Sequence, residues 1–268
     1  MLAAYPQIIC IASGNGGAGK TMVATNLSIA LQRMGKRVMV LDADLNMPNA
    51  HIALGAHSTN NLGHFLSGEK TLQEIVVTSP TGVRLVSGVS GLTNLTQRHA
   101  FSIVQSFCTL NEEVDFLIVD TATGVTALTL PFLTASPKRF MVVRDNPTSI
   151  AQTIACIKTM VHNHDLGDIY LLINGMANPQ DGQRLFDRIN HACALAIGQS
   201  IHYIGAIGRH DSILSALKTG QSVLDVAGAS DAAYDFSALA QATEQLPPMG
   251  YTSGRLEFFI EQRVSRAH

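Results

Sequence analysis

"SGNGGAGKT", Ser13 to Thr21, holds four glycines, one lysine and one threonine in nine residues and follows the apolar run "IICIA" at 8–12. Gly14, Gly19, Lys20 and Thr21 fit G-x-x-x-x-G-K-[ST] between a strand-like run and a helix-like one, the setting of a phosphate-binding loop. Glycines let such a loop curl until several backbone N–H groups point at one phosphate. Lys20 would bring a point charge to the β- and γ-phosphates and Thr21 a hydroxyl to Mg2+. The helix that begins here adds its positive end. The expected nucleotide contacts are Gly14, Asn15, Gly16, Gly17, Ala18, Gly19, Lys20, Thr21 and Met22.

Beyond the loop the chain alternates between two periods. Apolar, β-branched runs recur at 7–12, 37–43, 115–121, 139–144, 168–174 and 202–207. Helix-like segments lie between them at 21–35, with Gly35 as a C-cap, and at 100–110, 149–164, 182–196 and 211–220. Strands without polar alternation, separated by helices, predict a doubly wound α/β domain. It would have a mostly parallel sheet, helices on both faces and a ligand beyond the C-terminal strand ends. The domain is expected over 1–246, with a Pro/Gly linker over 247–254 and a C-terminal amphipathic tail over 255–268.

Composition narrows the class. Of 268 residues, 46% are hydrophobic and 14% charged, which describes a core-rich globular chain and not a disordered one. A net charge of −2 offers no general electrostatic grip on nucleic acid, so no direct nucleic-acid partner is expected. Cys10, Cys108, Cys156 and Cys193 form no CxxC pair and read as reduced thiols. No secretion signal is visible, and no apolar stretch approaches the ~18 residues that cross a bilayer, so a cytoplasmic protein is expected.

A phosphate loop also needs acids on neighbouring strands. Asp120 closes "DFLIVD", where a carboxylate would hold Mg2+ through its water shell. Asp42 and Asp44 in "LDADLN" end the second strand-like run; one suits magnesium, the other the attacking water. His162 and His164, with no third ligand nearby, read as a solvated helix end, and Met22, Met34 and Met39 as core.

These motifs carry a resemblance. The chain resembles the MinD/ParA family of deviant-Walker ATPases and, within it, the flagellar-number branch of FlhG/FleN proteins. The first loop with "LDADL" is similar to the family's deviant Walker A and D-x-D segment, "VDTATG" to its Walker B, and "PTSI" (147–150) to its switch motif. "FLSGEKTLQEIV" (65–76) and "GRLEFFIEQRV" (254–264) resemble segments of the FlhG/FleN branch. The resemblance implies a homodimer formed around ATP and Mg2+, with the two loops facing each other. It implies catalytic roles for Asp44, which activates water, and Lys20; Asp42, Thr21 and Asp120 at magnesium; and Asn174 at adenine. The implied partners are a flagellar switch-complex protein, a flagellar transcription activator or a polar landmark protein. A peripheral position at the inner face of the membrane or the cell pole, through 255–268, belongs to the same implication. No N-K-x-D follows any strand, so guanine selection is not expected. The DNA-partitioning, iron–sulfur-carrier and tyrosine-kinase siblings would need basic clusters, a paired CxxC or a tyrosine-rich tail, all missing here.

Three departures stand beside the matches. Asn15 occupies the position of the family's signature lysine, which reaches the partner's phosphates in the dimer. An amide brings no charge; by analogy with arginine fingers, losing a cross-subunit cation costs on the order of 10³-fold in rate. Gln152 replaces an aspartate, and "GRH" (208–210) a Pro-x-Asp loop near adenine. Two readings follow: a slow ATPase switch, or a non-hydrolysing nucleotide-binding adaptor acting by protein contacts. Retention of Lys20, Thr21, Asp42, Asp44 and Asp120 favours the ATPase. In the tail, Leu256, Phe259, Ile260 and Val264 would share one helical face, with Arg263 inside the stripe and Phe258 off it. Such a helix would either touch membrane or dock on the domain's own core.

Overall fold

Eight strands form one sheet in the computed structural model, which describes residues 5–89, 91, 94–219, 221–226, 230–248 and 256–260. They are β1 (Gln7–Ala12), β2 (Val38–Ala43), β3 (Val76–Thr78), β4 (Arg84–Val86), β5 (Phe116–Thr121), β6 (Lys138–Arg144), β7 (Ile169–Met176) and β8 (His202–Gly208). The helices are α1 (Lys20–Arg33), α2 (Ala50–Ala53), α3 (Leu62–Leu66), α4 (Leu72–Ile75), α5 (Gln97–Ser106) and α6 (Leu130–Ala135). They continue with α7 (Pro147–His164), α8 (Gly182–Ile197), α9 (Asp211–Thr219), α10 (Val223–Val226) and α11 (Asp231–Glu244). The sheet order is β3-β4-β2-β5-β1-β6-β7-β8, parallel except for the antiparallel β3–β4 pair at one edge.

All six apolar runs became strands. All but the edge strand β8 are buried along nearly their whole length because helices cover both sheet faces, which explains the missing polar alternation. In β1, Ile9 and Ile11 pack on the face that carries α1 and α11, while Ile8 and Cys10 pack on the opposite one among residues of α5, α7 and α8. Two edge strands and one long helix escaped the sequence reading. β3 and β4 have three residues each, too few to show a period. α11 is rich in alanine and starts at Ser230, whose side chain accepts from the Ala233 N–H.

From β1 the chain passes to β2 on one side of the sheet, and later from β5 to β6 on the other. The direction of winding thus reverses at β1, and the crevice for a ligand opens at its C-terminal end. That end carries the glycine loop. β2, β5 and β7 deliver Asp42, Asp120 and Asn174 to the same edge.

The C-terminal segment returns to the domain. Phe258 and Phe259 are fully buried, their rings edge-on to Phe107 with centroids 5.0 and 5.5 Å apart. Leu256 and Glu257 are not helical, and Phe258–Phe259 form a turn with Phe259 at φ 57°; helix appears only at Ile260. Phe258, off the apolar face on the helical reading, is therefore inside. The turn sends successive rings into one pocket, as a helix would not. Most of the expected tail helix (261–268) and most of the linker lie outside the described residues, although the Pro247 carbonyl accepts from Lys138 Nζ. No described helix is long and apolar enough to cross a membrane.

Removing an interior ring leaves a cavity in a close-packed core. Phe258→Ala should lower unfolding free energy by about 3 kcal/mol in chemical denaturation. An unchanged midpoint would mean that the segment leaves Phe107 in solution.

Candidate functional site

The glycine loop is shaped by two close approaches. A Cβ on Gly14 would lie 2.4 Å from the backbone of Gln152 in α7, so only glycine lets loop and helix touch. Gly19, the N-cap of α1, has φ 99°, and a Cβ there would lie 2.3 Å from Asn174 Nδ2. That amide donates to the Ala18 carbonyl at 2.7 Å, tying the loop to the end of β7. Gly16 and Gly17 instead face open space.

Lys20 lies at the first position of α1 and is only 9% exposed. Its ammonium donates to Ser13 Oγ at 3.0 Å and Thr123 Oγ1 at 3.1 Å, two neutral hydroxyls. Burial lowers its pKa, opposed by Asp120 and Asp44. Asp42 and Asp120 are direct neighbours across β2 and β5 and are both buried. Asp42 Oδ2 accepts from the Ala50 N–H at 2.9 Å, whereas Asp42 Oδ1 and both Asp120 oxygens have no hydrogen-bond partner. Burial pushes the Asp120 carboxyl up from 3.8 to about 7, with Thr21 and Lys20 opposing the rise. Asp42 rises for the same first reason, then through repulsion by Asp120. Asp44 is turned toward its own loop, where Oδ1 accepts from the Asn46 and Met47 N–H groups.

Two pockets flank the loop and share Gly17, Gly19 and Met22. One, about 520 Å³, is lined by Lys20, Thr21, Thr123, Asp44, Met47 and Asn49 among others. The second, about 360 Å³, is lined by Arg144, Asn174, Gly175 and the Gly208–His210 loop. Asp235 of α11 shapes that loop, accepting from the Gly208 N–H at 2.8 Å and pairing with His210 Nε2 at 2.9 Å. The arrangement can take an extended anion, with a charged end beside Lys20 and the acids and a flatter group beside Asn174.

All expected site residues meet at this edge of the sheet. Asn15 turns inward: its Oδ1 accepts from Ser149 Oγ at 2.9 Å and its Nδ2 donates to the Gly16 carbonyl at 3.0 Å. Ser13, Thr123, Ser149 and Asp235 were not singled out in the sequence. Thr123 and Ser149 fall inside the quoted "VDTATG" and "PTSI", but their hydroxyl contacts come from other elements.

A parallel sheet that ends in a lysine-bearing glycine loop, with acids on adjacent strands, defines a P-loop nucleotide-binding protein. The chain belongs to the family described as CobQ/CobB/MinD/ParA nucleotide binding domain, whose model matches residues 9–223. It is 33% identical over 261 residues to antiactivator FleN of Pseudomonas aeruginosa, covering 96% of this chain and 93% of that protein. It is also 33% identical over 207 residues to the flagellum site-determining protein YlxH of Helicobacter pylori, covering 75% and 69% of the two chains. The septum site-determining protein MinD of Pyrococcus horikoshii, solved with Mg-ADP, shares the fold with a TM-score of 0.74 at 22% identity, covering 90% of this chain and 97% of that one.

The raised acids predict a pH dependence. Asp120 releases its proton near 3.8 in the unfolded chain and near 7 in the folded one, so the folded state holds the extra proton between these values. Its contribution to stability is fully present below the lower value and is lost as pH rises through the upper one. Asp120→Asn should therefore raise Tm of the ligand-free protein at about pH 7.5 and flatten its decline from about pH 5. A slope equal to that of the parent would assign the dependence to other groups.

Proposed function

We propose that this protein is a MinD-like switch that binds Mg·ATP, hydrolyses it slowly and regulates flagellar number or placement. One observation carries the nucleotide reading. A buried ammonium held by two hydroxyls lies close enough to feel the charge of Asp120, itself paired in register with Asp42 and carrying unpartnered buried oxygens. A polyphosphate with a divalent cation answers both needs, as neither an anion nor a cation alone would. Among the described residues no three His, Cys, Asp or Glu side chains cluster as metal ligands, so phosphate oxygens and water would complete the coordination. Thr21, Asp42 and Asp120 would hold Mg2+, directly or through water, and the ion would offset phosphate charge.

Lys20 would leave Ser13 and Thr123 for the phosphates. Asp44, which lines the same pocket as Lys20 and Thr21, would orient the attacking water once it turns from the Asn46 and Met47 N–H groups. Asn174, lining the second pocket, would meet the base. The flagellar assignment rests on identity over nearly the whole chain to the antiactivator FleN and over three quarters of it to YlxH. By the same likeness, the protein would dimerise around ATP and meet a flagellar transcription activator, a switch-complex protein or a polar landmark protein. It would act in the cytoplasm, at the inner face of the membrane or the cell pole when bound there. The buried Phe258 and Phe259 favour a tail start that docks on the domain over one free for a lipid surface.

A second reading, a non-hydrolysing adaptor of the same fold, is favoured by Asn15, whose side chain brings no cation and is engaged within its own subunit. Phosphate release by the purified protein separates the two.

Lys20→Ala should weaken ATP binding by about 100-fold with the far-UV spectrum unchanged, because the lysine contacts neutral hydroxyls that lose little without it. Equal affinities in calorimetry would overturn the phosphate-loop assignment. Asp44→Ala should keep ATP but lower turnover by about 100-fold or more. Unchanged turnover would give the water to another group.

A further inference from the structure

Asn15 is one link of a hydrogen-bond chain within its own subunit. The chain begins at Thr123 Oγ1, which accepts from Lys20 Nζ at 3.1 Å, and the same ammonium donates to Ser13 Oγ at 3.0 Å. Ser13 Oγ in turn donates to the Asn15 carbonyl at 2.7 Å. The Asn15 side-chain oxygen accepts from Ser149 Oγ at 2.9 Å, and Ser149 Oγ accepts from the Arg144 N–H at 3.0 Å. Ser149 is fully buried in the first turn of α7, and its own N–H is held by the N-cap residue Asn146. Its hydroxyl thus joins three segments: the glycine loop, the end of β6 and the start of α7.

A second contact runs parallel to this chain. Gly14 packs so closely on the Gln152 backbone that no side chain fits between them. The glycine loop and the first two turns of α7 therefore move as one body or lose both contacts together. To receive the Ser149 hydroxyl as donor, the residue at position 15 needs a hydrogen-bond acceptor. Asparagine supplies one in its carbonyl oxygen, whereas a lysine ammonium, a donor only, cannot.

We propose that Ser149 is a positioning residue that couples occupancy of the phosphate loop to the first turn of α7, with Asn15 as its acceptor in the same subunit. The inference rests on the nucleotide reading above for its trigger, but the tether itself exists without ligand. When Lys20 turns from Ser13 toward phosphate, the N–H groups of the loop close on the same phosphate and order the apex that carries Asn15, and that order reaches α7 through the Ser149–Asn15 bond. Loss of one such bond should alter an affinity by roughly three- to tenfold.

The test uses the full-length protein with hydrogen exchange and a nucleotide titration. In the ligand-free state, Ser149→Ala should speed exchange over 14–18 and Asn15→Ala should speed it over 147–152, each at a site on the other element. Unchanged rates at both sites would overturn the tether. With Mg·ADP as probe, the parent should gain protection over 147–152, and Ser149→Ala should lose that gain while still binding, roughly three- to tenfold more weakly. Ser149→Thr, which keeps the hydroxyl, should restore it. The double variant Asn15→Ala/Ser149→Ala should bind no more weakly than the weaker single variant. Losses that multiply, or protection of α7 that survives in Ser149→Ala, would overturn the coupling. A parent that fails to bind Mg·ADP would sink the nucleotide reading and, with it, the coupling, while the ligand-free rates still decide the tether.

Discussion

Lys20, Asp42 and Asp120 bring three buried ionisable side chains to the C-terminal edge of the sheet, and three of the four oxygens of the acid pair are left without hydrogen-bond partners. Taking a charged group out of water costs several kcal/mol unless something compensates it. Here part of the compensation is proton retention, since burial holds both carboxyls above their ordinary range and lowers the lysine. The rest is left for a ligand. A site built in this way is less stable empty than full, and its pH dependence follows from the same imbalance.

The sheet makes that imbalance tolerable. β1 and β5 lie in the middle of eight strands, covered on both faces, so the backbone that carries Ser13 and Asp120 has little freedom to relax. Gly124 N–H donates to the Ser13 carbonyl at 2.9 Å and Thr121 Oγ1 to the Ile11 carbonyl at 2.9 Å, locking the two strand ends in register. Preorganised donors and acceptors of this kind need no reorganisation when a charge arrives. The flanking loops are held from further away: Asp235 on α11 fixes the Gly208–His210 loop, and Asn174 braces the glycine loop from β7. Elsewhere, Phe258 and Phe259 close the core under α5 through Phe107.

Asn15 shows how one substitution can turn a residue from an outward role to an inward one. In the family pattern a lysine here reaches a partner's phosphates. The amide in this chain bonds Ser149 and Gly16 of its own subunit. Whatever catalytic power a cross-subunit cation would supply is absent, and the bond gained links the loop to α7.

Local order along the chain determined the class of this protein. Six apolar runs and a glycine loop between a strand and a helix were enough, because backbone dipoles and side-chain periods act over neighbouring residues. Asp42, Asp44 and Asp120 were legible for the same reason: each sits at the end of a readable strand. What remained hidden depends on residues that are distant in sequence. β3 and β4 are too short to carry a period, and the buried stripe of α11 (Ala232, Ala233, Phe236, Leu239, Ala240, Thr243) is made largely of small residues that stand out little in the sequence. Asn15 and Ser149 are 134 positions apart, and Lys20 and Thr123 are 103 apart. A side chain's partner is set by which elements the sheet brings together, not by its own neighbours in sequence. The tertiary structure alone therefore decided that Asn15 faces inward, that His210 is held by Asp235, and that Phe258 is part of the core.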